Sequence, residues 1–214
     1  MARNDTDEEQ LDAVMAWLKE NGRSLIAGAV LAVGGVVGWQ QWGAHQERTA
    51  ESASAGYVQL LNARETGADS ETVAGYGWAV MEDYGRSVYA TMAGLQLGDH
   101  HVREGELAEA AEALRWVADN GVESGMRHLA RLRLAQVLMA AGDYDDALSV
   151  LDVSDMGAYR SQYLERRGDV LAALGEIEQA RTAYGDALDV QGISDTRRSL
   201  IRLKRNDLAG EASS

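Results

Sequence analysis

The sequence predicts an all-α protein, a single N-terminal transmembrane helix followed by an α-solenoid of helix pairs, and three observations carry that reading. Leu25 to Trp39, LIAGAVLAVGGVVGW, is the only long stretch without a charge. Apolar residues elsewhere recur at helical spacing, with no convincing β alternation. Three glycine-centred segments in the second half repeat one theme, their glycines 37 and 33 residues apart.

The first element is a short amphipathic helix. TDEEQLDAVMAWLKENG opens with a capping box from Thr6 to Glu9 and sets Leu11, Val14, Met15 and Leu18 on one face. The charge-free run follows. At about 1.5 Å per residue it spans roughly 22 Å, short of a hydrocarbon core of ~30 Å. Uncharged Gln40 and Gln41, the interfacial pair Trp39 and Trp42, and snorkelling by Lys19 and Arg23 make up the difference. Leu25, Ile26, Val30, Leu31, Val33, Val36 and Val37 together favour insertion by about 2 to 4 kcal/mol, which must offset the glycines. A buried helix of a soluble bundle is the alternative, but Gly28, Gly34, Gly35 and Gly38 suit a membrane helix better. A cleaved signal peptide is a second alternative, and a cut after Ala44 would leave bulky Trp42 where a small residue is wanted. The reading is an uncleaved anchor: residues 1–23 a cytoplasmic tail, 24–43 the span, 44–214 the exported domain. Arg3, Lys19 and Arg23 precede the span, against Arg48 alone in the twenty residues after Trp42, so the N-terminus is expected in the cytoplasm. Gly34 and Gly38 form a GxxxG pair where another membrane helix could pack, which leaves self-association open.

Beyond the span the chain should continue as helix from His45, with Ala50, Ala53, Tyr57, Leu60 and Leu61 inward, until Gly67 to Ser70 breaks it. A short helix over Glu71 to Asp83 and a longer one from Arg86 to Val102 come next. Then REGELAEAAEAL, AAGDYDDALSVL and ALGEIEQARTAY each place a glycine at a helix end, an acidic residue after it, and an alanine five positions on: Ala110, Ala147 and Ala180. The spacing matches the tetratricopeptide period of about 34, and three units meet the minimum for a stable stack. The glycine closes one helix in a left-handed cap, and the alanine lets the pair cross closely. The third unit fits best through Gly168, Gly175, Ala180, Tyr184 and Ala187. The last helix, Asp195 to Leu208, carries Arg197, Arg198, Arg202, Lys204 and Arg205, as a polar end-cap should; a docking site for an acidic partner is the alternative.

Composition narrows the chemistry. The 214-residue chain carries −14, and the part after residue 44 carries −11, which should repel nucleic acid. Without cysteine there is no disulfide framework, thiol nucleophile or Cys-ligated metal. Proline and phenylalanine are also absent. Asp99, His100 and His101 are adjacent on a helix and point about 100° apart, a poor ligand set for one ion. Asp143, Asp145 and Asp146 lack a calcium loop's spacing and read as a helix start. No catalytic or cofactor fingerprint occurs, so no enzyme, metal or cofactor is expected. If the domain binds peptides, repeat geometry puts the first helix of each pair on the concave face. The contact positions are then Met92, Leu95, Asp99 and Val102, then Leu129, Leu132, Gln136 and Met139, then Gln162, Glu165, Asp169 and Ala172.

The combination of acidic tail, ENGRSLIAGAVLAVGGVVGWQQWGAHQ, SASAGYVQLL, SVYATMAGLQLGDHHVREGELAEAAEAL, LRLAQVLMAAGDYDDALSVLD and RRGDVLAALGEIEQARTAYGDAL resembles the YfgM-type ancillary subunits of the bacterial SecYEG translocon, across nearly the whole chain. The resemblance implies a single-pass inner-membrane protein with a periplasmic tetratricopeptide-like domain and no catalytic residues. It further implies association with the SecYEG translocon and with a PpiD-like membrane-anchored chaperone, assisting transfer of exported proteins to periplasmic chaperones. A periplasmic tetratricopeptide coordinator of envelope assembly or cell division is the alternative.

Overall fold

The computed structural model describes residues 4–211, and the side chains of 14–208 apart from Leu25, Ile26, Ala29 and Ala44. The expected capping box at Thr6 and the inward-facing Leu11 lie outside the described side chains. The chain divides into two compact units, Met1–Thr49 and Ala50–Ser214.

The described residues of the first unit are helical and belong to α1 (Asn4–Glu65). Its described apolar side chains are bare: Val14, Met15, Trp17 and Leu18 are exposed, as are Val30, Leu31, Val33, Val36, Val37, Trp39 and Trp42. Among the described residues no helix is long and apolar enough to cross a membrane. The span expected over 24–43 is therefore not shown. Its apolar stretch, Leu25 to Trp39, is only fifteen residues long and holds four glycines, and the side chains of Leu25, Ile26 and Ala29 within it lie outside those described.

The second unit holds the end of α1, then α2 (Ser70–Asp83), α3 (Val88–Glu104), α4 (Leu107–Asn120), α5 (Ser124–Ala141), α6 (Tyr144–Leu151), a 3-10 turn at Gly157–Tyr159, α7 (Arg160–Ala173), α8 (Ile177–Asp189) and α9 (Asp195–Glu211). No strand occurs among the described residues. The helix starts are chemically marked. Asp69 accepts from the Thr72 N–H at 2.8 Å, and Ser87, in an extended conformation, accepts from the Ala90 N–H at 3.1 Å. Ser87 sets the start of α3 two residues later than the spacing alone predicts.

The three repeat glycines behave as expected. Gly105, Gly142 and Gly175 have φ of +79°, +87° and +78°, and in each case the next residue's N–H reaches back to the helix at 2.8 to 2.9 Å: Glu106 to His101, Asp143 to Leu138, Glu176 to Leu171. That shared bond turns the chain directly into the next helix. The alanines five positions on, Ala110, Ala147 and Ala180, are fully buried at the crossings.

Successive pairs α3/α4, α5/α6 and α7/α8 stack with continuous apolar packing. Leu114, Leu134, Leu138, Leu151 and Tyr163 form the central core, and Tyr184, Ala187 and Ile201 the core beneath α9. The structure adds a pair ahead of the three read from the sequence. The end of α1 packs on α2 and α3 through Leu60, Val73, Val80 and Leu97.

Candidate functional site

The first helices of successive pairs lie side by side, and on their shared face runs a ladder of charges at the repeat period. Arg64, Asp99, Arg133, Asp169 and Lys204 follow one another at intervals of 35, 34, 36 and 35 residues, alternating in sign. The two ends of the ladder are closed. Arg64 Nη2 donates to Asp99 Oδ2 at 2.8 Å while its Nη1 donates to Gln96, and Arg103 adds a bond to Asp99 at 3.0 Å. At the far end Lys204 Nζ donates to both oxygens of Asp169, at 2.9 and 3.0 Å, and to Glu165 at 2.8 Å.

The middle is open. Arg133 is exposed and has no ion-pair or hydrogen-bond partner among the described residues. Two clefts meet at it. One, of about 370 Å³, is lined by Tyr57, Met92, Leu95, Gln96, Asp99, Met126, Leu129 and Arg133. The other, of about 270 Å³, is lined by Gly98, Asp99, Val102, Leu107, Leu114, Arg133, Gln136, Val137 and Ala140.

The expected contact residues thus divide. Met92, Leu95, Asp99, Val102, Leu129 and Gln136 do line the two clefts. Leu132 does not: it is buried in the central core, and Met139 packs half-buried against the same core. The third-unit positions are already occupied. Glu165 is buried between Arg197 and Lys204 of α9, and Asp169 takes Lys204, Arg166 and the Tyr184 hydroxyl. Gln162 is half-buried, and Ala172 packs on the core beneath α9. With its amide oxygen toward Arg166, Gln136 accepts from Arg166 Nη2 at 2.9 Å. Desolvation and the bond to Asp169 push the Tyr184 phenol well above its ordinary range. Arg133 was missed from the sequence. The signal was there, one period past Asp99 with opposite charge.

Gly34 and Gly38 lie one turn apart in α1, and nothing beyond the helix itself stands within 4 Å of where a Cβ would sit. Of the residues weighed as metal ligands, His101 is buried with its Nδ1 2.6 Å from Glu106, whose same oxygen accepts from Ser70 at 2.6 Å. Among the described residues no group of three ligands converges on one point.

Two histidines give the domain a pH response. Burial holds His100 below its ordinary value near 6.5, with the charges of His101 and Arg64 adding to the effect. Burial, then Arg131, does the same to His128, which stacks on Tyr159 at 5.0 Å with its Nδ1 3.0 Å from the Tyr163 oxygen. A histidine depressed in the folded state binds fewer protons folded than unfolded. Its contribution is therefore whole above about 6.5 and is lost as pH falls toward the folded value. Asp69, held low by the Thr72 N–H, and Glu106, held low by the Ser70 hydroxyl and then His101, act in the same direction in more acid solution. The thermal midpoint should fall between pH 7.5 and 5.5, and His128→Gln should shrink that drop; a flat profile would mean that both imidazoles protonate freely.

Residues 15–210 match the tetratricopeptide repeat-like domain family. Over 205 residues, 96% of this chain and 98% of the relative, the sequence is 27% identical to an Escherichia coli (strain K12) protein named ancillary SecYEG translocon subunit. Proteins of the same name from Aggregatibacter actinomycetemcomitans and Neisseria gonorrhoeae are 29% and 28% identical over 208 residues, 97% of this chain and 100% of each relative. The resemblance read from the residues is borne out over nearly the full length.

Proposed function

Because the chain belongs to the tetratricopeptide repeat-like domain family, we propose that it is a non-catalytic scaffold of the bacterial inner membrane, an ancillary subunit of the SecYEG translocon. The observation that carries the reading is end-to-end similarity to proteins of that name, tail and apolar helix included. The helix over residues 24–43 spans the membrane once, with the N-terminus cytoplasmic and residues 44–214 periplasmic. Support comes from its bare apolar surface: Leu31 is 76% and Trp39 72% exposed. Side chains of that kind are left uncovered in water only at a cost, and lipid covers them. Gly34 and Gly38 provide the close-packing face toward another membrane helix. The repeat domain docks a PpiD-like membrane-anchored chaperone and helps pass exported proteins to the periplasmic chaperone network, using the α3 and α5 clefts around Met92, Leu95, Asp99, Leu129 and Gln136.

In-cell photocrosslinking from positions 38 and 129 of the full chain tests this. Adducts with SecY-type and PpiD-type proteins are the expected result. Adducts confined to cell-wall or division proteins would replace the proposal with a coordinator of envelope assembly.

A further inference from the structure

Charge is unevenly distributed over the helices of the repeats. The second helices are acidic: α4 carries Glu109, Glu112 and Asp119 against Arg115, α6 carries Asp145 and Asp146, and α8 carries Glu178, Asp186 and Asp189 against Arg181. Helix α5 is the reverse, with Arg127, Arg131 and Arg133 and no acidic residue. An acidic ligand is thus repelled by much of the −14 chain and attracted at this strip.

Two of these three arginines are engaged. Arg127 Nη1 donates to the Gly121 carbonyl at 2.6 Å, and Arg131 is half-buried beside the Tyr163 phenol, whose ionised form it favours. Arg133, exposed at the edge of two clefts, is the rung of the ladder with no ion-pair or hydrogen-bond partner among the described residues. Its neighbour Asp99 is not paired with it: Oδ2 of that carboxylate is held by Arg64 and Arg103. On either side of the guanidinium lie clefts with apolar walls, Met92, Leu95 and Leu129 in one, Val102, Leu107 and Val137 in the other.

We infer that this face binds a peptide segment in which a carboxylate side chain is flanked on both sides by large apolar residues, the carboxylate pairing with Arg133 and the apolar side chains filling the two clefts. The inference deepens the scaffold reading and rests on it, by naming the chemistry of the segment that the repeat domain recognises. A lone charge on an open surface contributes little. Seating apolar side chains on both flanks excludes water from the pair and strengthens it, and a guanidinium matches a carboxylate bidentately where an ammonium does not. Affinity comes from the clefts, and selectivity for the acid from Arg133.

Fluorescence anisotropy on the full chain in mild detergent, with protein-free detergent as blank, tests it with three labelled peptides: a glutamate flanked by leucines, the same with glutamine, and the glutamate flanked by serines. The leucine-flanked glutamate peptide should bind about tenfold tighter than its glutamine partner at low salt, and the preference should shrink as salt rises. Arg133→Ala should bring the two leucine peptides within about twofold of each other, Arg133→Lys should fall between, and Arg167→Ala, an exposed site outside both clefts, should change nothing. Equal binding of glutamate and glutamine peptides by the native chain, or a preference that survives Arg133→Ala, overturns the inference. Serine-flanked peptide binding as tightly would also overturn it, reducing the site to an anion contact. Crosslinks from position 38 read the scaffold separately: if they reach the translocon while the peptides show no preference, this inference fails and the scaffold stands.

Discussion

Replacing Lys204 by methionine should cost about 2 to 3 kcal/mol and loosen α9 before the rest of the domain. Among the described residues Lys204 alone reaches both Glu165 and Asp169, whose side chains are 7% and 12% exposed. Methionine keeps the stem's packing but leaves two carboxylates in a nearly dry site with Arg197 and Arg166 as their remaining cations. Removing one partner of a fully buried pair costs about 3 to 5 kcal/mol; the partial exposure of Arg197 lets water relieve part of that. In a domain of this size the thermal midpoint should fall by roughly 4 to 10 °C. Hydrogen exchange should rise at the amides of α9 while those of α5 stay protected. Because replacing a whole ion pair by apolar groups is often neutral, Glu165→Met added to Lys204→Met should recover part of the loss. Unchanged exchange at α9 would mean that Ile201 and Leu208 hold it without the ions.

Gly168→Val should be at least as damaging, about 3 kcal/mol. A Cβ at Gly168 would stand 2.6 Å from Tyr184 Cε1 and 2.7 Å from Cδ1. The ring cannot move aside. It is 3% exposed, and its hydroxyl donates to Asp169 at 2.8 Å, so it is pinned at both ends. Alanine's helical advantage over glycine is about 1 kcal/mol, and forcing methylenes into a packed core costs about 1 to 3, so even Gly168→Ala should lose a little. Valine adds bulk and stiffness. Gly185→Ala is the control: it sits on α8 with nothing within 4 Å, and should stabilise by up to about 1 kcal/mol. Opposite signs for one substitution at two helical glycines would show that the α7–α8 crossing, rather than propensity, decides. Thermal unfolding followed by circular dichroism reads both.

Local chemistry explains what the sequence made legible. Gly105, Gly142 and Gly175 are readable because a left-handed cap admits few residues, and the helices around them begin and end where Asp69, Ser87 and those glycines place them. The register of each first helix was readable too, and Met92, Leu95 and Leu129, placed on one face by it, line one cleft. Leu132 went wrong because a first helix is apolar on two sides, one toward its pair and one toward the groove, and periodicity does not separate them. Glu165 and Asp169 went wrong for a different reason. They sit at groove positions by register, but which charges remain available depends on α9, whose Arg197 and Lys204 lie 32 and 35 residues downstream. The leading pair, α1 with α2, was hidden because its first helix has no boundary of its own within Asn4–Glu65.

The glycine-closed turns also bear on how fast this fold can be reached. Each helix of the repeats packs mainly on its sequence neighbours, so contacts close over short loops and native structure can propagate stepwise along the chain. With no proline at those turns or anywhere else, no X–Pro isomerisation, which takes tens of seconds, can delay collapse. With no cysteine, no disulfide must form. The domain should therefore refold without a proline-limited slow phase and without an isomerase or a thiol oxidase.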